Sequence, residues 1–215
     1  MIRGHDDTPE PTTAVTISRG AVGAHIGIRY ATSDGSRHLH LAFHHDLRDE
    51  GWADADAQWI APGFSDPLGM VRTLAALVGN LYRDGQVPVP YALRPANAAF
   101  NSSTGTILLN DSIGLTCSTF VLRLFASAHV SLVDEPSWDT GRSPSRVEED
   151  NAAQRQLVEY LRKSYKQHAD AVESEIGCTR IRAEEVAAAS NSQNPPVKFE
   201  DVQRAASQLL AQLPA

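Results

Sequence analysis

The 215-residue chain has only two cysteines, Cys117 and Cys178, and no Cys-x-x-Cys pair. Two thiols are too few for a disulfide framework at this length, and neither a zinc ribbon nor a thioredoxin-type site has its ligands. There is no continuous apolar run long enough to span a bilayer. The N-terminal stretch MIRGHDDTPEPTTAV lacks the apolar core of a signal peptide. A cytoplasmic location is therefore expected, with signal-independent export left open. Positive charge is not in excess: 19 Lys and Arg stand against 26 Asp and Glu, a formal net charge of -7. That balance disfavours phosphate backbones and sets nucleic acid aside as the main partner. No internal repeat or low-complexity tract is present. Hydrophobic residues make up 42% and charged residues 21%, which suits one sizeable core and excludes wholesale disorder.

Along the chain, residues 1–12 read as a flexible leader, acidic and carrying two prolines. Thr13 to Ser18 (TAVTIS) reads as a short strand. His25 to Ala31 (HIGIRYA) alternates Ile26, Ile28 and Tyr30 with small or polar residues, which is strand periodicity. Ser33-Asp34-Gly35-Ser36 is a turn signal. Arg37 to His45 alternates again, with Leu39, Leu41 and Phe43 on one face and His38 and His40 on the other. Residues 25–45 thus predict a β-hairpin.

Asp46 to Ser65 reads as a loop containing Trp52 and Trp59. Asp66-Pro67 opens a helix through Leu68, Val71, Leu74, Ala75, Val78 and Leu81, which Gly85 ends. Thr106 to Asn110 predicts a further short strand. Phe120, Val121, Leu124 and Phe125 then follow Cys117 at helical spacing and share its face. Thr116 or Ser112 is the expected cap. Beyond Asp134 the composition shifts. Glu135 to Pro144 reads as a loop, and Val147 to Ile176 as one long helix or two shorter ones. Ala183 to Ala189 and Phe199 to Leu213 are further helices, separated by Asn194-Pro195-Pro196. The expected organisation is a leader (1–12), an α+β unit (13–134) and a helical extension on the same core (135–215).

A cysteine at the head of a packed helix is a favourable nucleophile. The helix N-terminus carries partial positive charge and unpaired amides, which stabilise a thiolate and an oxyanion beside it. Such a thiolate needs a base, and His25 opens the first strand of the hairpin with Gly27 leaving room beside it. His40, on the adjacent strand, is the candidate to orient that imidazole if the register is right, with His38 as its rival.

The order AHIGIRY, turn, HLHLAF, then GLTCSTFVLRLF resembles the NlpC-type papain-like cysteine hydrolases. The cysteine helix follows the histidine strand here, which is the order of the circularly permuted branch that includes lecithin retinol acyltransferase-like proteins. The resemblance covers about the first two-thirds of the chain. It implies an α+β papain-like permuted fold, with a small antiparallel sheet packed on the cysteine helix. It maps the nucleophile to Cys117, the base to His25 and the orienting residue to His40. It implies a peptide or peptide-conjugate substrate, attacked at an amide or isopeptide bond, and no cofactor. Two departures stand out: a long spacer from His45 to Asn110, and Thr116 where many members carry an acidic or amide residue before the cysteine.

Other readings stay open beside it. Cys117 suits a buried structural thiol, and His25 a core or edge histidine. His38, His40 and His44 suggest a metal-binding protein, with Asp46, Asp49 and Glu50 nearby and no third ligand fixed. His44 and His45 also read as a solvated strand end. A catalytically inactive binding module of the same fold is the third possibility. Trp52, Trp59 and Trp138 fall in expected loops and are candidate substrate-groove residues, or core anchors. Glu148-Glu149-Asp150 reads as the acidic first turn of a helix.

Overall fold

The computed structural model describes residues 3–4, 13–20, 22–52, 59–61, 69–82, 88–95, 97–110 and 113–213. The strands are β1 (Arg3–Gly4), β2 (Thr13–Gly20), β3 (Gly23–Thr32), β4 (Gly35–Phe43), β5 (Asp46–Gly51), β6 (Trp59–Ala61), β7 (Ala99–Phe100) and β8 (Ile107–Leu108). The helices are α1 (Met70–Tyr82), α2 (Cys117–Ser127), α3 (Pro136–Gly141), α4 (Pro144–Arg162), α5 (Lys166–Glu173), α6 (Ala183–Ser190) and α7 (Phe199–Gln212). The class is α+β. A six-stranded sheet in the order β1-β6-β2-β3-β4-β5 is antiparallel throughout, and β7-β8 form a separate pair.

The register sorts the side chains of the sheet into two faces. Val15 pairs with Ile28, Ile17 with Ile26, and Ile28 with Leu39, so these residues share one apolar face. Thr16 pairs with Gly27, Ser18 with His25, Arg29 with His38, and His38 with Glu50, so the other face is polar. Both faces are covered at the centre, since Ile26 through Tyr30 are buried without alternation. Helix α1 packs close to the apolar face. A Cβ on Gly79 would stand 2.7 Å from Tyr30 Oη and 2.9 Å from the Asp49 carboxylate, so only a glycine lets the helix approach there.

Most elements match their sequence patterns, and the differences have causes. Asp46–Gly51 is a strand rather than a loop: β5 is a charged edge strand with no apolar run to announce it. Glu135 to Pro144 contains α3, whose Trp138 is fully buried and donates from Nε1 to Glu185 at 2.9 Å. The long helical stretch is two helices, α4 and α5. Helix α4 starts at Pro144 behind a Ser143 cap, so Asp150 lies beyond its first turn. Asp150 is fully buried and accepts from Arg146 Nε at 3.0 Å and Arg182 Nε at 2.9 Å. Of the expected leader, Arg3–Gly4 pairs with β6, and the rest lies outside the described residues. Asp66, Pro67, Gly85 and Ser112, expected as helix signals, also lie outside them. Among the described residues no helix is long and apolar enough to cross a membrane.

Candidate active site

Helix α2 begins at Cys117 because two threonines close its first turn. Thr116 Oγ1 accepts from the Thr119 amide at 3.0 Å, and Thr119 Oγ1 accepts from the Thr116 amide at 2.7 Å. This is a reciprocal capping box, with Thr119 in the place usually taken by Glu or Gln. The first intrahelical bond runs from the Phe120 amide to Thr116 O, so the Cys117 and Ser118 amides stand ahead of the ladder. Phe120, Val121, Leu124 and Phe125 are completely buried and fix the helix in the core. Cys117 itself is only half-buried.

Three of the residues singled out in the sequence meet here. The Cys117 thiol hydrogen-bonds with His25, and the Ile26 backbone amide also donates to the sulfur. His25 Nε2 lies 2.7 Å from His40 Nδ1, which leaves His25 Nδ1 for the thiol. Burial pushes the Cys117 thiol up, but the His25 hydrogen bond and charge, the Ile26 amide and the Arg180 guanidinium together bring it below its ordinary value. Cys178 behaves oppositely, since burial and the nearby Glu175 carboxylate push its thiol up to about 11.

The polar face of the sheet continues the chain of contacts. His40 Nε2 faces Glu50 Oε1 at 3.4 Å, and His38 Nδ1 stands at the same 3.4 Å from that oxygen. His38 Nε2 lies 2.8 Å from Thr16 Oγ1. Burial first, and neighbouring imidazole charge second, lower His38 to about 3 and His40 to about 2. Both rings are therefore neutral near pH 7. Space for them comes from Gly27, as its position in the strand suggests.

A cavity of about 260 Å³ opens over Cys117 and His25. Tyr91, Leu93, Tyr160 and Arg180 line it. Burial and the nearby thiolate both raise the Tyr91 hydroxyl above its usual range, with Arg180 opposing them. The Tyr91 strand segment is held by the C-terminal helices: His168 Nε2 lies 2.6 Å from Tyr91 O, and Glu175 Oε2 accepts from the Leu93 and Arg94 amides at 2.8 and 3.0 Å.

Other expectations fare differently. Trp52 is buried away from this cavity, edge-on to His38 and beneath the Arg29 guanidinium, so it anchors the sheet instead of lining a groove. Trp59 lies in β6, and its side chain is outside those described. His44 is not solvated. It is buried, accepts from the Tyr91 amide at 3.1 Å and packs on His168, while His45 is exposed. Nor does His44 join the other two histidines: among the described residues, the potential ligand atoms that converge within 4.8 Å belong to His38, His40 and Glu50. The His38 and His40 rings are stacked, with centroids 4.4 Å apart and planes 14° apart. An ion bound through an imidazole nitrogen lies near the plane of that ring. One ion can reach both only if a ring turns, which breaks the Thr16 or the His25 contact. Glu50 was noted in the sequence as a carboxylate near the histidines, whereas Arg180 and Tyr91 escaped the sequence reading because chain folding brings them in from distant segments. No protein-family model, curated protein or solved structure matches the chain, so the arrangement speaks through its own geometry.

Proposed function

We propose that the chain is a cysteine hydrolase, a peptidase or amidase of the permuted papain-like type, which cleaves an amide or isopeptide bond. The observation that carries this reading is the placement of His25 between the Cys117 thiol and His40 Nδ1. The direction of proton flow follows from the contacts. To accept the thiol proton at Nδ1, His25 keeps its hydrogen on Nε2 and donates it to His40 Nδ1. His40 then carries its hydrogen on Nε2, which makes no hydrogen bond among the described residues and has Glu50 Oε1 3.4 Å away. The Cys117 thiolate attacks the carbonyl carbon, and the carbonyl electron pair moves onto oxygen. The Cys117 and Ser118 amides are the nearest helix-head donors for that charge. Collapse of the adduct expels the amine, which takes the proton from His25. Water, deprotonated by His25, then releases the acyl group from sulfur. A reducing cytosol suits this chemistry, because it keeps Cys117 a free thiol.

The test is selective alkylation. At pH 7 iodoacetamide should label Cys117 at least about tenfold faster than Cys178, since reaction follows the thiolate fraction. His25→Ala should slow Cys117 and leave Cys178 unchanged. Equal labelling of the two thiols, or indifference of Cys117 to His25→Ala, would overturn the assignment.

A further inference from the structure

Arg180 lines the same cavity as Cys117 and His25, although it comes from the segment between α5 and α6. Its Nη2 lies 3.9 Å from where a Cβ on Gly23 would stand, so the guanidinium reaches back to the β2–β3 turn. Its ion pair is loose: Nη1 is 3.8 Å from Asp150 Oδ1. That carboxylate is already occupied. Arg182 Nε holds Oδ1 at 2.9 Å, while Arg146 Nε and Arg142 Nη1 hold Oδ2 at 3.0 and 3.4 Å. The acidic side chain in the cavity wall, Asp46, is paired with Arg48 at 2.7 Å. Glu184, the other carboxylate that feels Arg180, is buried in α6, and burial raises it toward its neutral form.

Among the described residues, Arg180 thus has only a carboxylate shared with three other arginines, and it stands beside the proposed nucleophile. The thiolate charge it faces disappears when the sulfur is acylated. Resting on the hydrolase reading, we infer that Arg180 receives a carboxylate of the substrate, carried by the group that flanks the scissile bond. The substrate class is then an acidic peptide or conjugate, chosen by a residue outside the segments that resemble the hydrolase family. The cavity of about 260 Å³ is small, which suits recognition of one flanking group. A guanidinium fork matches a carboxylate in shape as well as charge.

Iodoacetate and iodoacetamide test this directly. Both alkylate a thiolate by forming an S–C bond and expelling iodide, but only iodoacetate carries a carboxylate beside the reacting carbon. The ratio of their rates at Cys117 in the full chain, read by peptide mass spectrometry, should exceed the ratio at the same thiol in denaturant. Arg180→Gln should lower the ratio about tenfold, the worth of one charge-assisted hydrogen bond. Arg180→Lys should keep it within about threefold of wild type, because charge survives without the fork. An Arg180→Gln ratio equal to wild type, with Cys117 still fast toward iodoacetamide, overturns the carboxylate site alone. Slow reaction of wild-type Cys117 with both reagents overturns the nucleophile and the substrate class together.

Discussion

Gly27 has no Cβ, and the space a Cβ would fill lies 2.5 Å from His38 Nε2 and 2.8 Å from His40 Cβ. The two imidazoles stand over the sheet because this position is empty. Gly27→Ala should push both rings aside and lengthen the His40–His25 contact. Cys117 alkylation at pH 7 should fall at least about tenfold, the effect of one lost charge-assisted bond; a rate unchanged in a folded variant would contradict that coupling. The room beside Gly27 was legible from the sequence because residues at i and i+2 share a strand face. Cys117 was legible through the apolar residues that follow it at helical spacing. Glu50 was legible only as one of three nearby carboxylates, since its choice over Asp46 and Asp49 comes from facing His38 and His40 across a strand pair. The purpose of Trp52 was equally hidden, because a tryptophan in a polar stretch does not disclose whether it anchors or lines.

At the scale of elements, α2 is positioned by its cap and its buried face together. Thr116→Ala removes the acceptor of the Thr119 amide and the contact between the two hydroxyls, while Thr119 Oγ1 still accepts from the backbone amide of residue 116. The expected cost is about 1 kcal/mol of stability, measured as a lower urea midpoint. The loosened helix head should also raise the thiol pKa, read from the pH dependence of Cys117 alkylation. A variant with the wild-type midpoint and the wild-type pH profile would show that the buried face alone holds the turn. The hairpin β3–β4 was readable because both strands alternate around a strong turn. Strand β5 was not, for its stability comes from pairing with β4 and from contacts such as Tyr30 Oη donating to Asp49 Oδ1 at 2.9 Å. Helix α3 was missed because six residues carry too few turns for a period to show, and Trp138 is held from outside by Glu185.

For the whole molecule, the buried histidines make stability depend on pH. The folded state holds His38 at about 3 and His40 at about 2, against 6.5 for an exposed imidazole. The unfolded chain therefore binds more protons below about pH 6.5. Stability from these sites is complete above that value and declines as the pH falls toward the folded values. The slope approaches about 1.4 kcal/mol per pH unit for each histidine. The urea midpoint at pH 5 should lie clearly below that at pH 7.5, and equal midpoints would contradict the burial of neutral rings. The helical extension was expected to pack on the same core, but not to shape the cavity. That role is invisible in sequence because Glu175 and His168 act on the backbone of Tyr91, Leu93 and Arg94, far away along the chain.

The division of labour across the chain has an evolutionary corollary. The thiol, its imidazole and the supporting hairpin belong to one stretch, whereas the cation and the clamps that shape the mouth belong to another. On the proposed hydrolase reading, drift in the later stretch would redirect the choice of cargo while the thiol and its imidazoles stay as they are. Excising that stretch would leave the cavity over Cys117 with an unbraced entrance, so the last third cannot be treated as a dispensable tail.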